Sequence, residues 1–149
     1  MITIGEAVTV NVPVDKIFSY VSTPNNLPKF WPSLVEVTDV QSLPKGGYKA
    51  RYVYKMAGMH FKGTGEYTKI VPDKSLVIVA SGGISSVLEW TFRRQASRTR
   101  VGLIANYEIP IPLLGKLAEV VVKKMNEQEL NFMLANLRTI FTFSHLLDT

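Results

Sequence analysis

The last third of the chain constrains the fold most. From Pro112 to about Phe143 the residues read as one long helix with an apolar face, and this stretch follows an almost unbroken succession of strand-like segments. A single long helix after an antiparallel sheet must bury its apolar face on that sheet. If the sheet curves, helix and sheet enclose a space, which points to a container for a small molecule.

Seven segments carry strand signals. Ile2–Val12 alternates apolar and polar residues and stops at Pro13. Leu34–Leu43 leads into the turn Pro44-Lys45-Gly46-Gly47. Tyr48–Ala57 has the cleanest period of two, with Tyr48, Ala50, Tyr52, Tyr54 and Met56 on one face and Lys49, Arg51, Val53 and Lys55 on the other. Gly58-Met59 predicts a hairpin turn into His60–Val71; Ser75–Ser81, Ile84–Arg94 and Thr99–Ile109 follow, separated by short turns. Connections this short make neighbouring strands antiparallel. Only Val14–Trp31 interrupts them, with a short helix over Val14–Ser22, where Val14, Ile17, Phe18 and Val21 recur at helical spacing, and a further turn near Leu27–Trp31.

In the C-terminal helix, Leu114, Leu117, Ala118, Val121 and Met125 share one face, and Leu130, Met133, Leu134, Leu137, Ile140 and Phe141 share another. The offset falls at Asn126-Glu127-Gln128-Glu129. The expectation is that the C-terminal half packs on the sheet and the N-terminal half lines or caps a cavity, the bland alternative being gentle helix curvature.

Composition narrows the chemistry. The 149 residues suit one domain, 1–149, with a core of its own. The absence of cysteine excludes disulfides, thiolate catalysis and Cys-type zinc sites, and two histidines, His60 and His145, make a multi-histidine metal site implausible. No cofactor is implied. Met1–Pro13 carries Glu6 and alternates like a strand rather than like a signal peptide, so the expected location is the cytoplasm.

Three stretches resemble the START-like superfamily: VNVPVDKIFSYVSTPNNLPKFWPSLVEV (Val10–Val37), FKGTGEYTKIVPDKSLVI (Phe61–Ile78) and LEWTFRRQASRTRVGLIANYEIPIPLLGKL (Leu88–Leu117). The resemblance is closest to the polyketide cyclase/dehydrase and lipid-transport branch. It implies an α+β helix-grip fold: a curved seven-stranded antiparallel sheet wrapped around the long C-terminal helix, with short helices between strands one and two. It also implies binding or transport of a lipid-like or polycyclic hydrophobic molecule, with a cyclase or dehydratase, or a protein-interaction module of the same fold, as alternatives.

The candidate ligand-binding residues are Phe18, Trp31, Tyr52, Tyr54, Phe61, Trp90, Phe92, Tyr107, Leu117 and Val121. The competing reading is a filled core, which aromatics on one strand face usually form; the tyrosines tilt toward a pocket, because each buried phenol needs a partner. No catalytic residue is assigned. Glu66 is the carboxylate that would matter if it pointed inward, whereas Glu89, Asn106 and Glu108 alternate outward. The basic residues Lys49, Arg51, Lys55 and Lys62, with Arg93, Arg94, Arg98 and Arg100, read as a charged outer face. They lack interleaved aromatics, so no nucleic acid and at most transient membrane contact is expected. Gly63, Gly65, Gly82 and Gly83 fit no phosphate loop and are expected to relieve crowding or to permit bending where the sheet curves. Ligand access is expected near Gly58-Met59, Gly82-Gly83 and Pro110–Leu114.

Overall fold

The computed structural model describes residues 1–108 and 115–147, with side chains described over 119–142 of the final helix. Seven strands form one antiparallel sheet: β1 (Ile2–Val10), β2 (Leu34–Ser42), β3 (Tyr48–Met56), β4 (Met59–Val71), β5 (Ser75–Ser81), β6 (Ser86–Gln95) and β7 (Arg98–Tyr107). Their spatial order is β1-β7-β6-β5-β4-β3-β2. β1 and β2 are therefore the two edges, and the segment between them crosses the whole sheet. That segment holds α1 (Val14–Val21), a single 3₁₀ turn at Pro24–Asn26 and α2 (Leu27–Phe30). The last element is α3 (Gly115–Leu147), so the expected helix-grip order is present.

Local sequence accounts for these elements. In α1, Pro13 precedes the first turn, Asp15 favours its positive end, and Val14, Ile17, Phe18 and Val21 are all buried. The hairpin between β3 and β4 turns on Ala57-Gly58, both at positive φ, so β4 begins at Met59, one residue earlier than the sequence suggested. Curvature comes from irregularities in the ladders. Pairing shifts between Leu34 and Glu36 and between Thr38 and Gln41 in β2, and between Thr68 and Val71 in β4. Asp39 and Lys69 sit inside the last two shifts in left-handed backbone conformations. Such bulges bend a strand and tighten its twist.

A close approach of backbone to backbone brings Gly63 of β4 against Ser81 and Gly83. A Cβ on Gly63 would meet the Ser81 carbonyl, the Tyr52 hydroxyl and the Gly83 nitrogen at distances side chains do not tolerate. Glycine is needed there to relieve this crowding.

The apolar stripe of α3 corrects the two-face expectation. Val122, Leu130, Met133, Leu134 and Leu137 are buried, and Asn126 and Glu129 fall on the same side between them. Spacings of three and four residues make this one continuous stripe. Polar residues occupy two of its positions, so the apolar pattern reads as broken where the helix does not turn away. Val121 and Met125, assigned inward, are 52% and 51% exposed; they share an outer ridge with Phe132. Starts of the helix at Pro112 or Leu113, and the access segment Pro110–Leu114, lie outside the described residues. Among the described residues no helix is long and apolar enough to cross a membrane.

Candidate functional site

A cavity of about 120 Å³ lies between the inner sheet face, α3 and the β1–β2 crossover. One water needs only about 10–15 Å³ on this scale. The cavity follows from one row of residues across the sheet. Ala50 pairs with Gly65, Gly65 with Ala80 and Ala80 with Ser86, so four neighbouring strands present small side chains side by side. Ser86 then pairs with Tyr107, whose ring closes that end of the row. Two same-face rows further along, about 13 Å by strand geometry, the positions are Leu76, Trp90 and Leu103, all but fully buried. The sheet thus packs tightly at one end and leaves space at the other.

The walls above the small row bring polar groups together. From α3, Asn126 donates from Nδ2 to the Tyr107 hydroxyl at 2.7 Å. Glu129 accepts the Ser33 backbone N–H at Oε1, 2.9 Å away. Tyr54 faces the same space, its ring meeting Trp31 edge to face at 5.7 Å. Burial pushes the Tyr54 phenol well above its usual range; the Glu129 charge adds to this, while the Trp31 and Ser33 side chains pull weakly the other way. Burial also raises Tyr107, against the opposing pull of the Asn126 hydrogen bond. Both phenols therefore stay protonated near neutral pH and act as neutral hydrogen-bond donors. Among the described residues the one ion pair is Arg51–Asp39 on the outer face, so Glu129 brings an unpaired charge to the cavity wall.

Tyr52 serves a different purpose. Its hydroxyl donates to the Ile84 carbonyl at 3.2 Å and accepts the Ile84 N–H at 3.0 Å. These bonds replace ladder partners for Ile84, which explains why β6 begins at Ser86 rather than Ile84. They also pin the β5–β6 turn over one end of the cavity.

The ten predicted residues divide by position. Trp31, Tyr52, Tyr54 and Tyr107 stand on the cavity wall. Phe18, Trp90 and Phe92 lie instead in filled core, where Phe18 meets Phe92 edge to face at 5.2 Å and Trp90 stacks on Phe92 at 6.4 Å. Trp90 and Phe92 are on the right strand face but in the filled rows, and Phe18 packs onto them from α1. Phe61 packs against the core away from the wall. Val121 points to solvent for the reason given above, and the Leu117 side chain lies outside the described residues.

Sequence reasoning missed Asn126 and Glu129. It left the facing of Glu66 open: Gly65 and Tyr67 face the cavity, so the intervening Glu66 projects from the other side of β4, paired in register with Lys49. The available signal was the spacing of Asn126 and Glu129 from Val122 and Leu130. Glu89, Glu108, His60 and the basic residues from Lys49 to Arg100 named above are exposed. Among the described residues no cluster of His, Asp and Glu could hold a metal ion.

A curved sheet gripping one long helix over an apolar cavity defines the START-like class of fold. The chain belongs to the polyketide cyclase/dehydrase and lipid transport family, whose sequence profile matches residues 1–142. A protein of Thermus thermophilus, TTHA0849, superimposes with a TM-score of 0.83 at 16% identity, covering 96% of this chain and 99% of that one. A START superfamily protein from Mycobacterium smegmatis gives 0.78 at 14% identity, covering 94% and 97%. The Zhui aromatase/cyclase from Streptomyces sp. R1128 gives 0.73 at 16% identity, covering 91% and 93%. Identities this low establish the shared fold alone. A sequence comparison with curated proteins finds no match.

Proposed function

We propose that the protein binds, and thereby carries or presents, a small hydrophobic molecule in the cavity between the sheet and α3. The observation that carries this reading is the row Ala50, Gly65, Ala80 and Ser86, which keeps space open inside a sheet that is otherwise filled. A well-packed interior leaves few voids larger than a water molecule, so an apolar space of this size is a feature to be occupied. A ligand burying roughly 200 Å² of apolar surface would gain about 5 kcal/mol before the costs of association. Mass spectrometry of an organic extract of the natively purified protein tests the reading. A stoichiometric hydrophobic compound absent from a matched blank is expected. A clean extract, together with no saturable uptake of a neutral fluorescent probe, would contradict it.

One observation favours a second reading, a cyclase- or dehydratase-type enzyme. Glu129, Tyr54 and Tyr107 place a carboxylate and two phenol donors at one apolar cavity, a set able to move a proton and hold an enolate oxygen. Tyr54→Phe separates the two: an enzyme loses turnover while retaining ligand, and a carrier changes only in affinity.

A further inference from the structure

We infer that the cavity selects an uncharged hydroxyl-bearing ligand, an alcohol or phenol on an apolar body, and rejects the corresponding carboxylate, with Glu129 as the discriminating residue. The inference rests on the container reading above and adds the chemistry of the ligand's head.

The polar groups facing the cavity gather where α3 meets Tyr54 and Tyr107, and their hydrogen-bonding capacities are unequal. Asn126 already donates to the Tyr107 oxygen, which leaves that hydroxyl's proton to give away. Tyr54 is a neutral phenol beside it. Glu129 spends Oε1 on the Ser33 N–H and keeps acceptor capacity on its other oxygen. The site therefore offers two phenol donors and one charged acceptor, beside the remaining amide groups of Asn126 and the Ser86 hydroxyl. A hydroxyl matches both, donating to Glu129 while accepting from a tyrosine. A carboxylate head would use the tyrosine donors but bring a second negative charge against Glu129 in a low-dielectric space. An ammonium head would pair with Glu129 but leave both phenol protons without an acceptor, which costs free energy in a buried site. Among the described residues Arg51 is the one cation at the wall, and its side chain is 76% exposed and reaches outward to Asp39, so it does not reverse this preference.

The test uses the full chain and three ligands with one tail, 1-decanol, decanoate and decylammonium, each competing at neutral pH with the neutral fluorophore N-phenyl-1-naphthylamine. Wild type is expected to bind decanol at least roughly tenfold more tightly than decanoate, the size of penalty that like charges impose at a buried contact. Glu129→Gln, which keeps an acceptor for the Ser33 N–H and so preserves the anchor of the helix, is expected to close most of that gap. Equal or tighter binding of decanoate in wild type would overturn the inference, as would a gap unchanged by Glu129→Gln or tightest binding of decylammonium. If the fluorophore itself fails to bind saturably, the container reading falls first, and that outcome is distinct from a wrong order among the heads.

Discussion

The two ends of the inner sheet face differ in side-chain volume and in the polar groups that stand beside the small row. At the filled end, Leu76, Trp90 and Leu103 form one row, and Phe30 and Phe92 close over Trp90 with centroid separations of 6.2 and 6.4 Å. At the open end, Ala50, Gly65, Ala80 and Ser86 form a row of small residues on four neighbouring strands. α3 spans both regions. It contributes Met133, Leu134 and Leu137 as deeply buried core, and one to two turns earlier it contributes Asn126 and Glu129 to the cavity wall. One helix and one sheet thus serve stability at one end and recognition at the other. The division is written in which rows are small and which helix positions are polar.

The largest expected effect lies at the filled end. Trp90→Ala should lower unfolding free energy by about 3–5 kcal/mol in a denaturant titration, because the indole is fully buried and its neighbours cannot collapse onto the gap. A loss under about 1 kcal/mol would show that the filled end is less tightly packed than the rows imply. Gly63→Ala should cost about 1–3 kcal/mol by forcing β4 away from Ser81 and Gly83, and it should loosen the Tyr52–Ile84 bonds over the cavity. Unchanged stability would show that β4 does not approach Ser81 and Gly83 this closely at Gly63.

Titration separates the regions in another way. Burial holds the Tyr67 phenol well above the ordinary range, and its hydroxyl donates to the Val21 carbonyl at 3.3 Å. The unfolded chain releases this proton near pH 10, while the folded chain keeps it. The associated stability is fully present below that pH and is lost as pH rises through it, by up to about 1.4 kcal/mol per pH unit for this residue. Thermal unfolding followed from about pH 8 to 11 should therefore show a shallower alkaline decline in Tyr67→Phe than in wild type; parallel curves would contradict the buried, protonated phenol. The smallest effect belongs to the surface. Ala57→Asn at the first turn position of the β3–β4 hairpin should stabilise by a few tenths of a kcal/mol, since asparagine tolerates positive φ better than alanine. A destabilised variant would mean that this turn demands something other than left-handed backbone.

Much of the fold was legible because its periodicities are strong. The alternation of Tyr48–Met56, the turn residues after each strand and the spacing of Val14, Ile17, Phe18 and Val21 set the order of elements. The site was legible only in part. Alternation identifies the inward face of a strand but not which inward row lies opposite empty space, so Tyr54 and Trp90 look equivalent in sequence. That distinction depends on cross-strand register, which aligns Ala50, Gly65, Ala80 and Ser86 from four separate strands. The polar members of α3 were lost for a related reason. A residue such as Glu129 on a buried stripe imitates an interruption of that stripe, because apolar periodicity assumes that every inward position packs against protein. Val121 was placed inward by the same assumption, having been grouped with Met125 rather than with its neighbour Val122.

Filling the small row tests the central claim most directly. Ala80→Leu adds volume to the cavity floor without touching the filled rows. Binding of N-phenyl-1-naphthylamine should weaken at least roughly tenfold, while unfolding free energy shifts by less than about 1.5 kcal/mol, because the added side chain enters space already present. Unchanged probe binding in a stably folded Ala80→Leu protein would contradict the account, since the ligand would then have to sit elsewhere than over the row of small residues.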